Sequence, residues 1–133
     1  MITSLPRLFR PALIDCADRV GLEFPGIEWT FGELDRRSNQ LARMLLAQGL
    51  QPGDRVGVYL ANRPELILIY LACVKAGFAF TPINILYRAG EIAHILGDAE
   101  PGALFAARAS EALLEGLATP YWVEDLVDGM FVV

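Results

Sequence analysis

The chain has 133 residues, which is enough for one domain with a substantial buried core. Its net charge of −5 comes from interspersed acidic and basic residues, which argues against nucleic acid or an anionic membrane as a partner. Hydrophobic residues make up 54% of the chain, above the roughly 45–50% typical of soluble domains, so we expect a partner to cover part of its surface.

The N-terminal region contains weak strand signals. Residues 11–16, PALIDC, form a short apolar run that is predicted to be a first strand. Residues 21–29 are predicted to be irregular chain or a returning hairpin, since Gly21, Pro25 and Gly26 interrupt them.

A helix is predicted to begin at Thr30, because Thr30 and Glu33 have the spacing of a capping box. Gly49 is predicted to end it in a left-handed conformation, with Leu50 folding back onto Leu45. The apolar residues at helical spacing are Phe31, Leu34, Leu41, Leu45 and Leu46. The polar residues predicted to face solvent are Arg36, Arg37, Asn39, Gln40 and Arg43.

The centre of the chain is predicted to be a strand, a crossover helix and a second, parallel strand. Val56, Val58 and Leu60 mark the first strand, and residues 79–83 form the second. Residues 66–76 between them are apolar on almost every side, which favours a buried helix over a strand.

Capping residues fix the expected ends of this central helix. Asn62 is predicted to be its N-cap, with Glu65 in the capping-box position and Gly77 as the left-handed C-terminal residue. Lys75, close to the C-terminal end, is interpreted as a partner of the helix dipole whose aliphatic stem lies along apolar surface.

Strands and helices continue to alternate after residue 88. The predicted elements are a helix over residues 90–97 with Ile92, Ile95 and Leu96 inward, a strand over residues 103–106, a helix over residues 110–117 and a strand over residues 121–123. This alternation is typical of a three-layer α/β fold: a doubly wound, mainly parallel sheet with helices on both faces.

Arginines follow three of the predicted strands. Arg63, Arg88 and Arg108 would lie along one edge, because the carboxyl ends of parallel strands meet at the same edge of a sheet. Three guanidinium groups there suit a polyanionic ligand, since each can hold phosphate oxygens with two hydrogen bonds. The alternative is that each arginine is a solvated loop residue.

The sequence contains no complete active site. Lys75 is its only lysine and its Ser and Thr residues are scattered, so it has no phosphate-binding loop of the Gly- and Lys-rich kind. No His, Cys or carboxylate cluster has metal-ligand spacing, and His94 is interpreted as a surface residue without chemistry. We therefore assign no catalytic residue and no metal ligand.

The cysteines and the chain ends indicate the cellular compartment of the protein and the limits of its domain. Cys16 and Cys73 lack any CxxC spacing and are predicted to be reduced thiols, as in the cytoplasm. No secretory signal and no membrane span are predicted. Residues 1–133 are interpreted as one piece of a longer domain, with residues 1–10 and 124–133 as weakly ordered ends.

Five ordered sequence blocks carry a resemblance to a known family. They are WTFGEL, QGLQPGDRVGV, ANRPE, KAGFAFTPIN and ILGDAEP. Together they resemble the N-terminal subdomain of the AMP-forming acyl-CoA synthetases, in the adenylate-forming superfamily, over residues 11–105. YLACVKAG and ILGDAEP are most similar to the malonyl-CoA and long-chain fatty acyl-CoA synthetase branches.

The resemblance implies a two-step reaction. A carboxylic acid attacks ATP to give an acyl-adenylate and pyrophosphate, with magnesium assisting, and the thiol of coenzyme A then displaces AMP. In the family, the phosphate loop, the ribose-binding aspartate and the adenylate-orienting lysine lie later in the chain. We therefore expect ATP, coenzyme A and magnesium to bind the whole enzyme, and none of them to bind this chain alone.

The resemblance also implies a contact with coenzyme A. Some members use basic residues after the PIN block and near the end of the next strand to contact its phosphates. The usual basic position is Leu86 here, a departure, and Ile85 stands where the family commonly has Pro. Arg88 and Arg108, together with Tyr87, are therefore the cofactor-binding candidates.

Other functions stay open at this point. One is a stand-alone, non-catalytic α/β binding or regulatory module. Another is a flavodoxin-like domain, although the sequence lacks the phosphate-binding loop that such a domain needs. As partners we expect the remainder of a synthetase, or a second copy that associates through exposed faces of the helix over residues 66–76.

Overall fold

The computed structural model describes residues 5–127 and 130–131. Its centre is a four-stranded sheet with the order β4-β3-β5-β6. The strands are β3 (Arg55–Tyr59), β4 (Ala79–Pro82), β5 (Ala103–Ala106) and β6 (Tyr121–Trp122). All three neighbouring pairs are parallel, which confirms the predicted arrangement.

Helices cover both faces of this sheet. Successive strand residues point to opposite faces, so Val56 and Val58 lie in one core and Tyr59 lies in another. The first core is covered by α2 (Phe31–Ala47) and α3 (Pro64–Ala76), and the second by α4 (Ala89–Ala99) and α5 (Glu111–Leu114). The predicted three-layer fold is therefore confirmed.

The N-terminal region is helical, so the strand predicted over residues 11–16 is wrong. Helix α1 (Leu5–Arg10) continues into a π-helical turn (Pro11–Asp15). A short apolar run does not by itself distinguish helix from strand. Burial decides here, because Leu13 is the one buried residue of the turn and joins the core that α2 and α3 cover.

Two antiparallel strands follow. They are β1 (Val20–Phe24) and β2 (Ile27–Thr30), and they form the hairpin that the turn residues predicted as one of two possibilities.

Helix α2 has the predicted caps. The Glu33 backbone N–H donates to Thr30 Oγ1 at 3.1 Å, and Glu33 Oε1 accepts from the Thr30 backbone N–H at 3.3 Å. At the other end Gly49 has φ +102°, and the Leu50 N–H donates to the Leu45 carbonyl at 3.2 Å. This C-terminal bond, made just after a left-handed glycine, is typical of a Schellman motif.

The two sides of α2 differ from the prediction at several positions. Leu46, expected in the core, is 45% exposed. Arg36 and Arg43 are exposed as predicted, whereas the other polar residues of that side, Arg37, Asn39 and Gln40, are half-buried. The cause is packing from neighbouring elements: the Arg37 guanidinium lies 4.9 Å over the Trp29 ring.

Helix α3 begins one residue later than predicted. Arg63 is its N-cap, Pro64 is the first helical residue and no side chain caps the first turn, so the proposed Asn62 capping box is wrong. Proline favours the first helical position, where its missing N–H costs nothing, and this fixes the preceding residue as the cap. Gly77 ends the helix at φ +79°, as predicted.

Lys75 does not extend to solvent. Its Nζ lies 2.7 Å from Asp35 Oδ1, 2.7 Å from Ser38 Oγ and 2.8 Å from Asn39 Oδ1, all on α2. Lys75 lies in the last turn of α3, as the helix-dipole interpretation requires, but the expectation that its ammonium group reaches solvent is wrong, because α2 binds it. The side chain joins the two helices that cover one face of the sheet.

The C-terminal elements differ from the predictions mainly in length. Helix α4 is longer than residues 90–97, and α5 is a single turn preceded by a 3₁₀ turn, Arg108–Ser110. After β6 come a 3₁₀ turn, Val123–Asp125, and the antiparallel strands β7 (Leu126–Val127) and β8 (Met130–Phe131). Residues 1–4, 128–129 and 132–133 of the predicted weakly ordered ends lie outside the described residues, and the order of the ends stays a prediction.

Most of α3 is covered. Its buried residues are Pro64, Leu68, Ile69, Leu71, Ala72 and Cys73. Ile67, at 39%, is its one large apolar side chain among the exposed ones, so this helix offers little free apolar surface for a second copy. No helix in residues 5–127 has both the length and the apolar character that crossing a bilayer requires.

Candidate functional site

The candidate site is the carboxyl edge of the parallel sheet. Because β3, β4, β5 and β6 are parallel, the chain leaves all four at the same edge. The segments that follow these strands contain Arg63, Arg88, Arg108 and Glu124. The predicted juxtaposition of the three arginines along one edge therefore follows from the sheet topology, although their surroundings differ.

Arg63 is paired with two carboxylates. Its Nη1 lies 2.9 Å from Glu124 Oε2, and its Nε lies 3.2 Å from Glu65 Oε2. Burial works against the charged guanidinium, but the bonds from Glu124 and Glu65 outweigh it and raise the pKa of Arg63 above its usual value. Arg63 thus ties the start of α3 to the segment after β6.

The Arg108 side chain is also paired with two carboxylates. Its Nη2 lies 3.0 Å from Asp125 Oδ2, its Nη1 lies 3.1 Å from Glu111 Oε2, and its guanidinium stands 5.1 Å from the Trp122 ring centre. Its backbone N–H donates to Glu124 Oε1 at 3.0 Å. Arg63 and Arg108 therefore share Glu124, and two cations face four carboxylates in this network.

The shared carboxylate is ionised more readily than usual. Burial disfavours the charge on Glu124, but the hydrogen bonds from the Arg108 backbone N–H and the Arg63 guanidinium outweigh it and lower the pKa of Glu124. Because the network is already acidic, we do not expect it to attract an anion as it stands.

The third arginine sits in a different environment, in the loop between β4 and α4. Arg88 Nη1 lies 3.1 Å from the Tyr87 carbonyl oxygen, 3.2 Å from the Ile85 carbonyl oxygen and 3.5 Å from the Tyr59 hydroxyl. The Tyr59 hydroxyl itself lies 2.7 Å from the Tyr87 carbonyl and 2.9 Å from the Ile85 carbonyl. Tyr59 is 1% exposed, so this is a buried anchor for the loop.

The rest of the loop is also held by hydrogen bonds. The Leu86 N–H donates to Asn84 Oδ1 at 2.9 Å, and the Tyr87 N–H donates to the Asn84 carbonyl at 2.9 Å. The Arg88 N–H donates to Glu91 Oε2 at 2.7 Å, which caps α4. The loop consequently presents Leu86 outward, 74% exposed, with Tyr87 beside it at 38%.

An open groove of about 450 Å³ adjoins this loop. It is lined by Tyr87, Gly90, Glu91, His94 and Ile95. His94 is 78% exposed and its Nε2 lies 3.2 Å from Asp98 Oδ2, a carboxylate partner that the sequence interpretation did not assign. A second hollow is lined only by the β1–β2 turn, residues 23–28, and includes nothing from the carboxyl edge.

Nucleophilic and metal-binding chemistry has little support in residues 5–127. No group of three His, Cys, Asp or Glu side chains there could hold a metal ion, so we assign magnesium to none of them. Both cysteines are free, and burial raises the pKa of the Cys73 thiol to about 12, which keeps it protonated and unreactive.

Sequence reasoning places Glu124 at the end of the fourth strand but missed its pairing with Arg63, and it missed the buried anchor Tyr59. A tyrosine in a buried strand is a usable signal, because its hydroxyl must find a hydrogen-bond partner. Nothing in the local pattern pairs Glu124 with Arg63, since the two are 61 residues apart in the chain.

Comparisons with known proteins agree on one family. The sequence pattern described as AMP-binding enzyme matches residues 9–127. A medium/long-chain-fatty-acid–CoA/3-oxocholest-4-en-26-oate–CoA ligase from Mycolicibacterium smegmatis is 33% identical over 104 residues, covering 78% of this chain and 19% of the ligase. Surfactin synthase subunit 1 from Bacillus subtilis is 42% identical over 95 residues, covering 71% of this chain and 3% of the synthase.

Solved structures give the same result. A Rhodopseudomonas palustris chain assigned as a long-chain-fatty-acid CoA ligase superposes with a TM-score of 0.81 at 29% identity, covering 86% of this chain and 29% of that one. MatB from Rhodopseudomonas palustris superposes with a TM-score of 0.74 at 29% identity, covering 85% and 23%. The chain thus corresponds to less than a third of each of these proteins.

Proposed function

Because the chain belongs to the AMP-binding enzyme family, we propose that it is the N-terminal portion of an AMP-forming acid–CoA ligase and builds one wall of a larger catalytic domain. The observation that carries this proposal is the superposition of 86% of the chain on 29% of a chain assigned as a CoA ligase. In the proposed reaction a carboxylate attacks the α-phosphate of ATP and releases pyrophosphate. The thiol of coenzyme A then attacks the acyl carbonyl, forms the thioester and releases AMP.

The substrate in this proposal is a fatty or malonyl-type acid. The fatty-acid part is supported by the names of the Mycolicibacterium ligase and the Rhodopseudomonas chain, and the malonyl part by the resemblance of the YLACVKAG and ILGDAEP blocks. We place the reaction in the cytoplasm, on the expectation that Cys16 and Cys73 stay reduced.

Within this wall we propose that Arg88, Arg108 and Tyr87 contact coenzyme A. Arg88 supports this proposal best, because its guanidinium is held by carbonyl and hydroxyl oxygens rather than by carboxylates. Arg108 would first have to release Asp125 or Glu111 before it could contact a phosphate. Tyr87 is partly exposed beside the groove and offers an apolar ring.

We also propose that the isolated chain is inactive and that the remainder of the ligase is its natural partner. Its only lysine, Lys75, is held by acceptors on α2 and cannot reach a nucleotide phosphate. The test is pyrophosphate release by the purified chain with ATP, magnesium and a panel of carboxylic acids, for which we expect no signal above a protein-free control. Turnover by the pure chain would refute the proposal.

The complementary experiment, in which activity is expected, uses the parent protein that contains this chain. With a carboxylic acid, ATP and coenzyme A it should form an acyl thioester and release AMP and pyrophosphate in equal amounts. A parent protein that binds these ligands but forms no thioester would favour the alternative, a non-catalytic binding or regulatory module.

A further inference from the structure

The N-terminal helix carries several exposed apolar side chains. Helix α1 has no buried residue, Leu5 and Leu8 on it are 52% and 63% exposed, and Ile14 in the following π-helical turn is 52% exposed. Within residues 5–126, Leu86 is the only other large apolar side chain that is more than half exposed. A helix of six residues is too short to be stable in water by itself, so we expect a further surface to cover this one.

Two contacts attach this segment to the rest of the protein. The Phe9 ring packs edge-on against Tyr70 of α3, with the ring centres 6.1 Å apart. Leu13, four residues later, is 6% exposed and belongs to the core that α2 and α3 cover. The three exposed apolar side chains lie outside these attachments and remain open to a partner.

The charges of the same segment are all positive. Arg7 and Arg10 are exposed, neither has an ion pair within residues 5–127, and no acidic residue precedes Asp15 in the sequence. At physiological salt, charges more than about 8 Å away are largely screened. The net charge of −5 argues against an anionic partner for the chain as a whole, but it does not apply to this segment.

We propose that α1 and the π-helical turn form a peripheral docking surface for an anionic lipid bilayer. Leu5, Leu8 and Ile14 enter the boundary between headgroups and acyl chains, and the two arginines pair with lipid phosphates. The protein then lies on the bilayer, in keeping with the finding that no helix in residues 5–127 could cross one.

The chemistry of the surface favours lipid over an acidic protein. Every exposed residue between positions 5 and 14 is leucine, isoleucine, proline or arginine. Aliphatic side chains interspersed with basic ones are typical of helices that bind in the headgroup region. The segment has no exposed hydroxyl or amide side chain of the kind that fixes the register of a protein interface.

The first test is sedimentation of the 133-residue chain with lipid vesicles. It should bind phosphatidylcholine vesicles that contain phosphatidylserine at least about ten-fold more tightly than pure phosphatidylcholine vesicles, because each arginine near an anionic surface contributes about five-fold. Added salt should weaken the binding. Equal binding to both vesicles, or none, would overturn the proposal, and retention on polyglutamate without vesicle binding would indicate an acidic protein partner instead.

The second test locates the contact in the unmodified chain. With spin-labelled lipid in the phosphatidylserine vesicles, the backbone N–H signals of residues 5–14 should lose intensity in nuclear magnetic resonance spectra. The signal of Leu86, which is equally open to solvent, should keep its intensity. Broadening that is absent from residues 5–14, or that is strongest at Leu86, would contradict the assignment.

Variants then separate the apolar and the charged contributions. Leu8→Gln should weaken vesicle binding about ten-fold and Arg7→Gln about five-fold. The matched variants Leu86→Gln and Arg43→Gln change an exposed leucine and an exposed arginine elsewhere, and they should bind as the unmodified chain does. Equal losses in the matched pairs would refute the proposal. If Leu8→Gln or Arg7→Gln does not fold, the spin-label experiment on the unmodified chain still decides.

The parent protein provides the last test. It should bind the same vesicles and lose binding through Leu8→Gln. A parent protein that ignores vesicles to which the chain binds would show that other parts of the ligase cover α1, and would overturn the proposal. Vesicle binding requires neither ATP nor coenzyme A, so its failure leaves the proposed ligase function intact, and a parent protein without ligase activity leaves the docking surface intact.

Discussion

Replacing Lys75 by methionine should destabilise the fold more than any change of a surface charge. The ammonium group of Lys75 is 2.7 Å from Asp35 Oδ1, and it also bonds Ser38 and Asn39 of the same helix. Methionine has nearly the same length, so Lys75→Met removes the charge and its hydrogen bonds while largely preserving the packing of α3.

The magnitude follows from the burial of the acceptors that lose their partner. The Lys75 and Asp35 side chains are 19% and 25% exposed, and Ser38 is fully buried. Truncating one member of a fully buried pair costs about 3–5 kcal/mol, whereas an exposed pair contributes about 0–1 kcal/mol. For this partly exposed cluster we expect a loss of about 2–3 kcal/mol in the free energy of unfolding.

Urea unfolding followed by circular dichroism measures this loss as a shift of the midpoint at constant slope. Arg43→Met is the matched control, because Arg43 lies on the exposed side of α2, and it should change the stability by less than about 0.5 kcal/mol. A double-mutant cycle with Asp35→Asn should show a clear coupling between the two positions. Equal stabilities of Lys75→Met and Arg43→Met, or no coupling, would refute the reasoning.

Three further predictions concern single sites. Glu124→Gln should cost about 1 kcal/mol or less near neutral pH, since Glu124 is over a third exposed. Because folding lowers the pKa of Glu124, this stabilisation is present above the unfolded-state pKa, and urea titrations should show it vanish as the pH falls through the folded-state pKa. Cys73, with its pKa raised to about 12, should react with a thiol reagent far more slowly than Cys16 until urea unfolds the chain. Gly77→Ala should cost about 1 kcal/mol or more in the same unfolding assay, because φ is +79° there.

Each of these has an outcome that counts against it. A stability difference between Glu124→Gln and the unmodified chain that is the same at acidic and neutral pH would show that the carboxylate charge is not the cause. Equal labelling rates of the two thiols in the folded chain would mean that Cys73 is not protected by burial. For Gly77 the control is Gly97→Ala inside α4, which meets no atom within 4 Å and should be neutral or stabilising.

The sequence was most informative where local chemistry decides the structure. The Thr30–Glu33 capping box and Gly49 determine both ends of α2, and Gly77 determines the end of α3. The N-cap of α3 was misplaced even though its signal was present, because Pro64 at the first helical position already identifies the residue before it.

Tertiary packing decided what local patterns could not. The run around Leu13 became helical because that side chain reaches the core that α2 and α3 cover. The role of Lys75 depends on Asp35, 40 residues away, and no periodicity relates the two.

At the carboxyl edge, likewise, the sequence predicted which residues share the edge but not which side chains they contact. The alternation of strands and helices predicted that Arg63, Arg88 and Arg108 would share an edge. It could not show which of them meet carboxylates, because that depends on the strand order placing β6 beside β5. The discrimination between Arg88 and Arg108 therefore required the structure.

The most direct test of the central claim is thioester formation by a fusion protein. In it, the 104-residue segment of this chain that aligns with the Mycolicibacterium smegmatis ligase replaces the matching 19% of that ligase. We predict that the fusion forms acyl-CoA from a fatty acid, ATP and coenzyme A, whereas the chain alone forms none. A fusion that unfolds cooperatively and yet forms no acyl-CoA, or turnover by the chain alone, would contradict the account.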